Sequence, residues 1–380
     1  MTTGELDDLA RLTPDLASLG WTDDHQAWFD DLEPNDPPLV PARLARVSRG
    51  FSLAFTGGDA QLVASGSTRA EMDIAPATGD FVAFRPDDGD RPTLHAIAPR
   101  SSALTRRAAG RIPEPQVLAA NAETVLVMHG LDRELNERRI ERQLVVTWDS
   151  GADPVLVFTK ADLVADPSAV LATANLLAPG VPVILVSSVD STGLDAIAQV
   201  CGPGATVALL GLSGVGKSTL VNALSDGEVQ LTGEVRAADR RGRHTTVTRE
   251  LIPLPSGGLM LDAPGIREIG LWQAYDGLAR AFPEITEAET LCRFANCTHD
   301  QEPGCGVRAA IAEGRIDERR LAHWRDLHAE LALQEEQLEE YAKRAESRSK
   351  ADADDVRDGA RSNRRARTQG RGRNKRNRRR

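Results

Sequence analysis

The feature that most constrains this chain is Gly211-Leu212-Ser213-Gly214-Val215-Gly216-Lys217-Ser218, entered from the apolar run Ala205–Leu210 and left through Thr219–Leu224. A strand, a glycine-containing turn and a helix in that order read as a phosphate loop. The turn's backbone N–H groups wrap a phosphate chain at the positive end of the next helix. In that geometry Lys217 reaches the outer phosphates, Ser218 holds Mg²⁺, and Gly211 through Thr219 contact the nucleotide. The loop needs a parallel sheet behind it. Apolar strands at Thr124–His129, Pro154–Phe158 and Val181–Val186 alternate with helical spacing at Asn136–Thr147 and Leu194–Val200. That alternation predicts an α/β fold with helices on both faces.

Further motifs surround the loop. Thr159-Lys160-Ala161-Asp162 ends a strand, where a carboxylate can accept hydrogen bonds from the N1–H and exocyclic amine of guanine. Asp162 therefore selects GTP, Lys160 packs its stem over the base, and Ser187-Ser188 supplies a second base loop. Downstream, Gly242-Arg243-His244-Thr245-Thr246 sits in a long polar stretch, as a switch carrying a Mg²⁺-ligating threonine would, and either Thr245 or Thr246 can serve. Leu261-Asp262-Ala263-Pro264-Gly265 follows an apolar pair. It places Asp262 near the Mg²⁺ shell and the Gly265 N–H near the γ-phosphate. Ile266 stands where many GTPases carry a glutamine that orients water, so His244 is the local candidate for that task. The other reading of His244 is a loop histidine that contacts RNA.

The order of these motifs is itself informative. The base reader precedes the phosphate loop, whereas ordinary GTPases place it after. The chain is a circular permutation, which the closeness of domain termini tolerates. The second switch then runs straight into the C-terminal region.

That region holds Cys292, Cys297, His299 and Cys305, three thiols and an imidazole with the composition of a closed tetrahedral zinc site, hence one structural Zn²⁺. Cys201 lies apart and reads as a buried filler. Residues 315–348 have helical spacing, with Leu321, Trp324, Leu327 and Leu331 as a core stripe. Between Pro41 and Arg100, short strands at 44–48, 51–55, 61–64, 81–84 and 94–98 predict a small barrel. Its leading form is the oligonucleotide-binding (OB) type, with an unrelated small barrel as the alternative.

Net charge is −10, yet Arg361–Arg380 carries eleven Arg or Lys and no acid, so the body is strongly acidic and the end strongly basic. Such a tail suits phosphate backbones or is merely solvated. No apolar run nears the ~20 residues of a membrane span. The N-terminus lacks the basic and apolar parts of a signal peptide. A cytoplasmic monomer is expected. The expected division is an N-terminal extension (1–38), an OB-type barrel (39–110), a circularly permuted P-loop GTPase domain (111–275), a zinc-binding helical domain (276–348) and a disordered basic tail (349–380).

The permuted order, Gly242–Thr246, Asp262–Trp272, the Cys-x₄-Cys-x-His-x₅-Cys spacing, Gly79-Asp80-Phe81-Val82 and Ala119-Ala120-Asn121 together resemble the RsgA/YjeQ family of ribosome small-subunit-dependent GTPases. The resemblance covers roughly residues 20–345. It implies a GTPase that binds the small ribosomal subunit and its rRNA, acts in late maturation and is stimulated by that subunit. An RNA-binding adaptor gated by GTP and GDP, with hydrolysis as a timer, is the alternative. The family's base-reading motif usually begins with Asn, so Thr159 must brace the loop with a hydroxyl. The arginine tail inherits nothing from the family.

Overall fold

The computed structural model describes residues 15–32, 38–48, 50–64, 74–86, 91–107, 115–225, 250–262, 271–344 and 347. A short helix, α1 (Asp23–Asp30), precedes five strands: β1 (Val40–Val47), β2 (Phe51–Phe55), β3 (Ala60–Ala64), β4 (Phe81–Arg85) and β5 (Thr93–Ile97). They close into a barrel in the order β1-β2-β3-β5-β4. This is the five-stranded OB-type arrangement. Ala42, Leu44, Ala54, Val63, Val82, Phe84 and Leu94 fill its interior. Strand β1 departs from strict alternation, because its register against β2 shifts between Leu44 and Arg46. Leu44 points into the barrel, while Ala45 joins the larger core outside it.

A two-stranded sheet follows, β6 (Ala103–Arg107) paired with β7 (Pro115–Ala120). Sequence reasoning did not find this hairpin, since Arg106, Arg107 and Pro115 carry no apolar alternation. The boundary expected at 110/111 falls between these paired strands.

The six-stranded sheet is built from β8 (Thr124–Gly130), β9 (Asp153–Thr159), β10 (Val183–Val186), β11 (Thr206–Gly211), β12 (Glu250–Pro253) and β13 (Leu259–Asp262). Its order is β10-β9-β8-β11-β13-β12. The pairings are parallel apart from β12, which runs antiparallel to β13 at the edge. On one face, α2 (Glu137–Asp149) and α3 (Ser168–Leu177) bury Ile140, Leu144, Val145, Ala174 and Leu177. On the other, α4 (Leu194–Val200) and α5 (Lys217–Leu224) bury Ile197, Leu220 and Val221. Asn136 caps α2 by accepting a 2.9 Å bond from the Arg139 N–H. Cys201 is buried in the second core, and burial pushes its thiol up to about 12, as a filler residue requires.

Barrel and sheet meet at a polar junction. Gly79 has φ +95°, and a Cβ there would lie 2.1 Å from the Ala120 carbonyl oxygen, so no side chain fits. Asn121, itself left-handed at φ 56°, donates to the Gly79 carbonyl (3.1 Å) and accepts from the Ser101 N–H (2.9 Å). Arg43 is wholly buried here. It donates to the carbonyls of Leu19, Gly79 (3.1 Å) and Asn121 (2.9 Å) and to the Thr206 hydroxyl (2.8 Å). The Gly79-Asp80 and Ala119–Asn121 texts are thus the two sides of one joint.

The C-terminal part comprises α6 (Tyr275–Ala281), α7 (Pro283–Glu289), α8 (Gly306–Ala312) and a long helix, α9, over residues 318–344. Leu321, Trp324, Leu327 and Leu331 are buried, as their spacing predicts. Helix α6 approaches α2 so closely that a Cβ on Gly277 would lie 2.1 Å from the Val145 carbonyl oxygen. Helix α9 docks on α2 through a bidentate Arg142–Glu330 pair (2.7 and 2.6 Å). Buried Arg320 pairs there with Glu141 (2.9 Å) and Glu284 (2.7 Å). Among the described residues, no helix is long and apolar enough to cross a membrane.

Candidate nucleotide and metal sites

The predicted nucleotide-binding residues that are described gather at the carboxyl ends of β9, β10, β11 and β13. Strand β11 is buried along its whole length and ends at Gly211, where a Cβ would meet the Met128 carbonyl oxygen at 2.7 Å. The loop then turns through Gly214 (φ 77°) and Gly216 (φ 102°), left-handed positions that glycine takes without strain. Lys217 opens α5 and lays its ammonium across the loop, donating to the carbonyls of Gly211 (2.7 Å) and Leu212 (2.8 Å).

Thr159 ends β9 and is buried. Its hydroxyl lies 2.6 Å from the Val215 carbonyl oxygen and 3.3 Å from that of His129, so the shorter contact ties the end of β9 to the glycine-containing loop after β11. This is the bracing position that the sequence leaves to a hydroxyl. Lys160 takes a left-handed turn (φ 60°), and its Nζ sits 2.8 Å from Asp132. The bond from Lys160 holds the Asp132 carboxyl below its ordinary range. The Ser187 hydroxyl, fully buried, donates to Asp162 (2.8 Å) and accepts from the Val189 N–H (3.2 Å), so the loops that follow β9 and β10 are linked. Ser188 beside it is exposed. Asp262 is buried at the end of β13, directly opposite Glu250 of β12. His244, Thr245, Thr246 and Gly265 lie outside the described residues.

Next to the loop is a small cleft lined by His129, Asp132, Asn136, Arg139, Ser213 and Val215. Sequence reasoning missed His129 and Asp132, because neither belongs to a motif and both reach the loop from the end of β8.

The metal cluster lies in the C-terminal part. Cys292, Cys297, His299 and Cys305 place one ligand atom each within 4.8 Å of the others. A tetrahedron with ordinary zinc bond lengths needs S···S near ~3.8 Å and S···N near ~3.5 Å. The observed Cys292–Cys305 separation is 3.9 Å, and His299 Nδ1 lies 3.6 Å from Cys292 and 3.5 Å from Cys305. His299 Nε2 bonds the Glu289 carboxylate at 3.0 Å, which leaves Nδ1 for a metal and fixes the ring. The Gly306 and Arg308 N–H groups point at the sulfurs of Cys292 (3.3 Å) and Cys305 (3.4 Å), favouring thiolates. The four residues fit zinc, and with four protein ligands such a site is closed. Glu289 carries no local signal in sequence.

A sequence model of a family described as RsgA GTPase matches residues 97–272, and one described as 50S ribosome-binding GTPase matches residues 206–348. A small ribosomal subunit biogenesis GTPase RsgA of Syntrophotalea carbinolica is 40% identical over 346 residues, covering 88% of this chain and 94% of its own. The chain belongs to the RsgA GTPase family. A second RsgA, from Streptomyces coelicolor, is 41% identical over 327 residues, 83% of this chain and 86% of its own. Two solved structures share the fold. YjeQ from Thermotoga maritima superposes with a TM-score of 0.60 at 23% identity, covering 77% of this chain and 99% of that one. YloQ, described as a circularly permuted GTPase, gives 0.56 at 23% identity over 78% and 96%. Like the family it belongs to, the chain is a GTPase.

Proposed function

We propose that the chain hydrolyses GTP to GDP and phosphate on the small ribosomal subunit, acts in that subunit's late maturation and is stimulated by it. The observation that carries this reading is the convergence of the phosphate loop, Thr159–Asp162 and Ser187 at one end of the sheet, in a chain whose relatives are named for small-subunit biogenesis.

In this reading the loop amides and Lys217 hold the phosphates. Lys217 is already over the loop, bonded to two carbonyls that a phosphate oxygen would replace as its partners. Asp162, oriented by Ser187, accepts from guanine, and Lys160, tethered by Asp132, lies along the base. Ser218, Asp262 and one of Thr245 and Thr246 would hold Mg²⁺, which neutralises charge on the β- and γ-phosphates when bound. His244 orients the attacking water, since Ile266 cannot. Positioning and charge neutralisation account for the rate without covalent chemistry. The barrel (39–110) and the basic tail (349–380) contact rRNA, and the zinc domain (276–348) is the third docking part. The protein works as a cytoplasmic monomer.

The deciding assay is GTP turnover with and without purified small subunits, with large subunits as the comparison arm because residues 206–348 match a family described by 50S binding. Strong stimulation by small subunits is expected, lost in His244→Ala, and no turnover in Lys217→Ala. Normal stimulated hydrolysis by His244→Ala would remove the role given to that histidine. Stimulation by neither subunit, with nucleotide-dependent binding intact, would favour the adaptor instead.

A further inference from the structure

Strand β1 of the barrel lies against β12, the edge strand of the sheet. Two arginines of β1 reach across. Arg43 grips the hydroxyl of Thr206, the first residue of β11, at the end of the sheet away from the phosphate loop. Arg46 reaches Glu250, the first residue of β12, with 3.5 Å between Nη1 and Oε1 and only 21% and 16% of the two side chains exposed.

In a regular strand, residues three apart face opposite sides. The bulge between Leu44 and Arg46 is what turns Arg46 to the same side as Arg43. Bulges are a recognised device for re-aiming a side chain. Its effect here is to spread the barrel's grip from the base of β11 to the nucleotide end of β12. At that end Glu250 pairs across the ladder with Asp262. In sequence it stands six residues after His244.

We propose that the Arg46–Glu250 pair is the contact through which small-subunit RNA held by the barrel raises the rate at the nucleotide site, with Arg46 a positioning residue. The proposal rests on the subunit-stimulated GTPase reading above. A shift of the barrel moves β1, and the ion pair carries the motion to Glu250. The antiparallel ladder ties Glu250 to Asp262, so the strand that ends at the phosphates moves with it. Coupling of this kind is reciprocal for binding: GTP then changes the barrel's affinity for RNA by the same factor as RNA changes the affinity for GTP.

The test is a charge-reversal cycle in the full chain with Arg46→Glu, Glu250→Arg and the double variant. GTP hydrolysis is measured alone and with saturating purified small subunits, and subunit binding is measured by co-sedimentation. Each single variant keeps the basal kcat and KM for GTP and still binds subunits at saturation. Its stimulated kcat falls about five-fold or more, the low end of typical coupling. The double variant regains wild-type stimulation, which ties the effect to the pair; a merely structural pair would instead lower basal turnover or subunit binding in the single variants. Basal turnover serves as the folding control, and Arg46→Gln carries the same test if a reversal fails to fold.

Wild-type stimulation in both single variants overturns the coupling while leaving the function intact. So does a double variant without rescue, or a loss of subunit binding in Arg46→Glu that is equal with GTP and GDP. A wild-type chain that no subunit stimulates overturns the functional reading and the coupling with it.

Discussion

Acidification exposes how the nucleotide end of the sheet is built. His129, the penultimate residue of β8, is 8% exposed, with Phe158 at 6.4 Å between ring centroids. Burial pushes its imidazole down from 6.5 to about 4, partly opposed by Gln143 and assisted by the positive charge of Arg139. The unfolded chain therefore binds a proton below about pH 6.5 that the folded chain refuses until about pH 4, so stability is lost as pH falls through this window. Integrating between pH 7 and pH 5 gives a loss of about 2 kcal/mol from this residue. Urea unfolding of the wild type and of His129→Gln at both pH values isolates it: the wild type should lose about 2 kcal/mol more than the variant over that interval. Equal acid losses would refute the reasoning, as would an imidazole NMR titration near pH 6.5. The chemical consequence is that at neutral pH this ring offers the phosphate loop no positive charge, which leaves that task to Lys217.

Three further outcomes are expected. Thr159→Val keeps the shape but strips the donor from the Val215 carbonyl. Nucleotide affinity by calorimetry should fall by about 1–3 kcal/mol, while Thr159→Asn, which keeps a donor, retains most of it. Atomic emission should find one zinc per chain, and none in Cys305→Ser, with amide exchange rising around residues 290–312; full zinc in that variant would break the ligand assignment. Arg320→Ala takes the guanidinium from Glu141, which is 1% exposed and whose carboxyl desolvation already holds above its ordinary value, and leaves it His323 as partner. The cost should be about 3–5 kcal/mol, smaller at pH 5 than at pH 8, because a proton on Glu141 or on His323 offsets the lost positive charge; denaturation at the two pH values checks it.

What was legible in the sequence was what is local in it. The phosphate loop, the parallel strands of the sheet and the three cysteines and histidine within Cys292–Cys305 are patterns over a few residues, whereas the antiparallel edge strand β12 was not read. Helix α2 begins within one residue of the helical spacing read at Asn136–Thr147. Residues whose meaning depends on distant partners were not legible. Arg43 precedes the strand expected at 44–48 and belongs to no motif, yet it is wholly buried against Thr206, 163 positions away. Arg142 and Glu330 are 188 apart and look like ordinary helix-surface charges. Thr159 shows both sides: the family resemblance leaves the bracing task to its hydroxyl, while the Val215 carbonyl that it bonds, 56 positions away, is visible only in the fold.

The permutation has a consequence that the docking contacts bring out. Two segments, 226–249 and 263–270, carry the residues read as switches, and each re-enters the described structure at a point held by a neighbouring part of the chain. The first re-enters at Glu250, paired with Arg46 of the barrel. The second re-enters at Leu271, whose carbonyl accepts from the Gln334 amide of α9 at 2.7 Å, while the same amide's oxygen accepts from the Gln273 N–H at 3.1 Å. In an unpermuted GTPase the second switch would lead on through the rest of the sheet to the base reader. Here the base reader is already in place upstream, braced by Thr159, and the chain leaving the second switch is gripped by the part that bears the zinc cluster. The residue at which each segment re-enters is thus fixed by a different part of the chain, Glu250 by Arg46 of the barrel and Leu271 by Gln334 of α9, an arrangement that follows from the permuted order of the motifs.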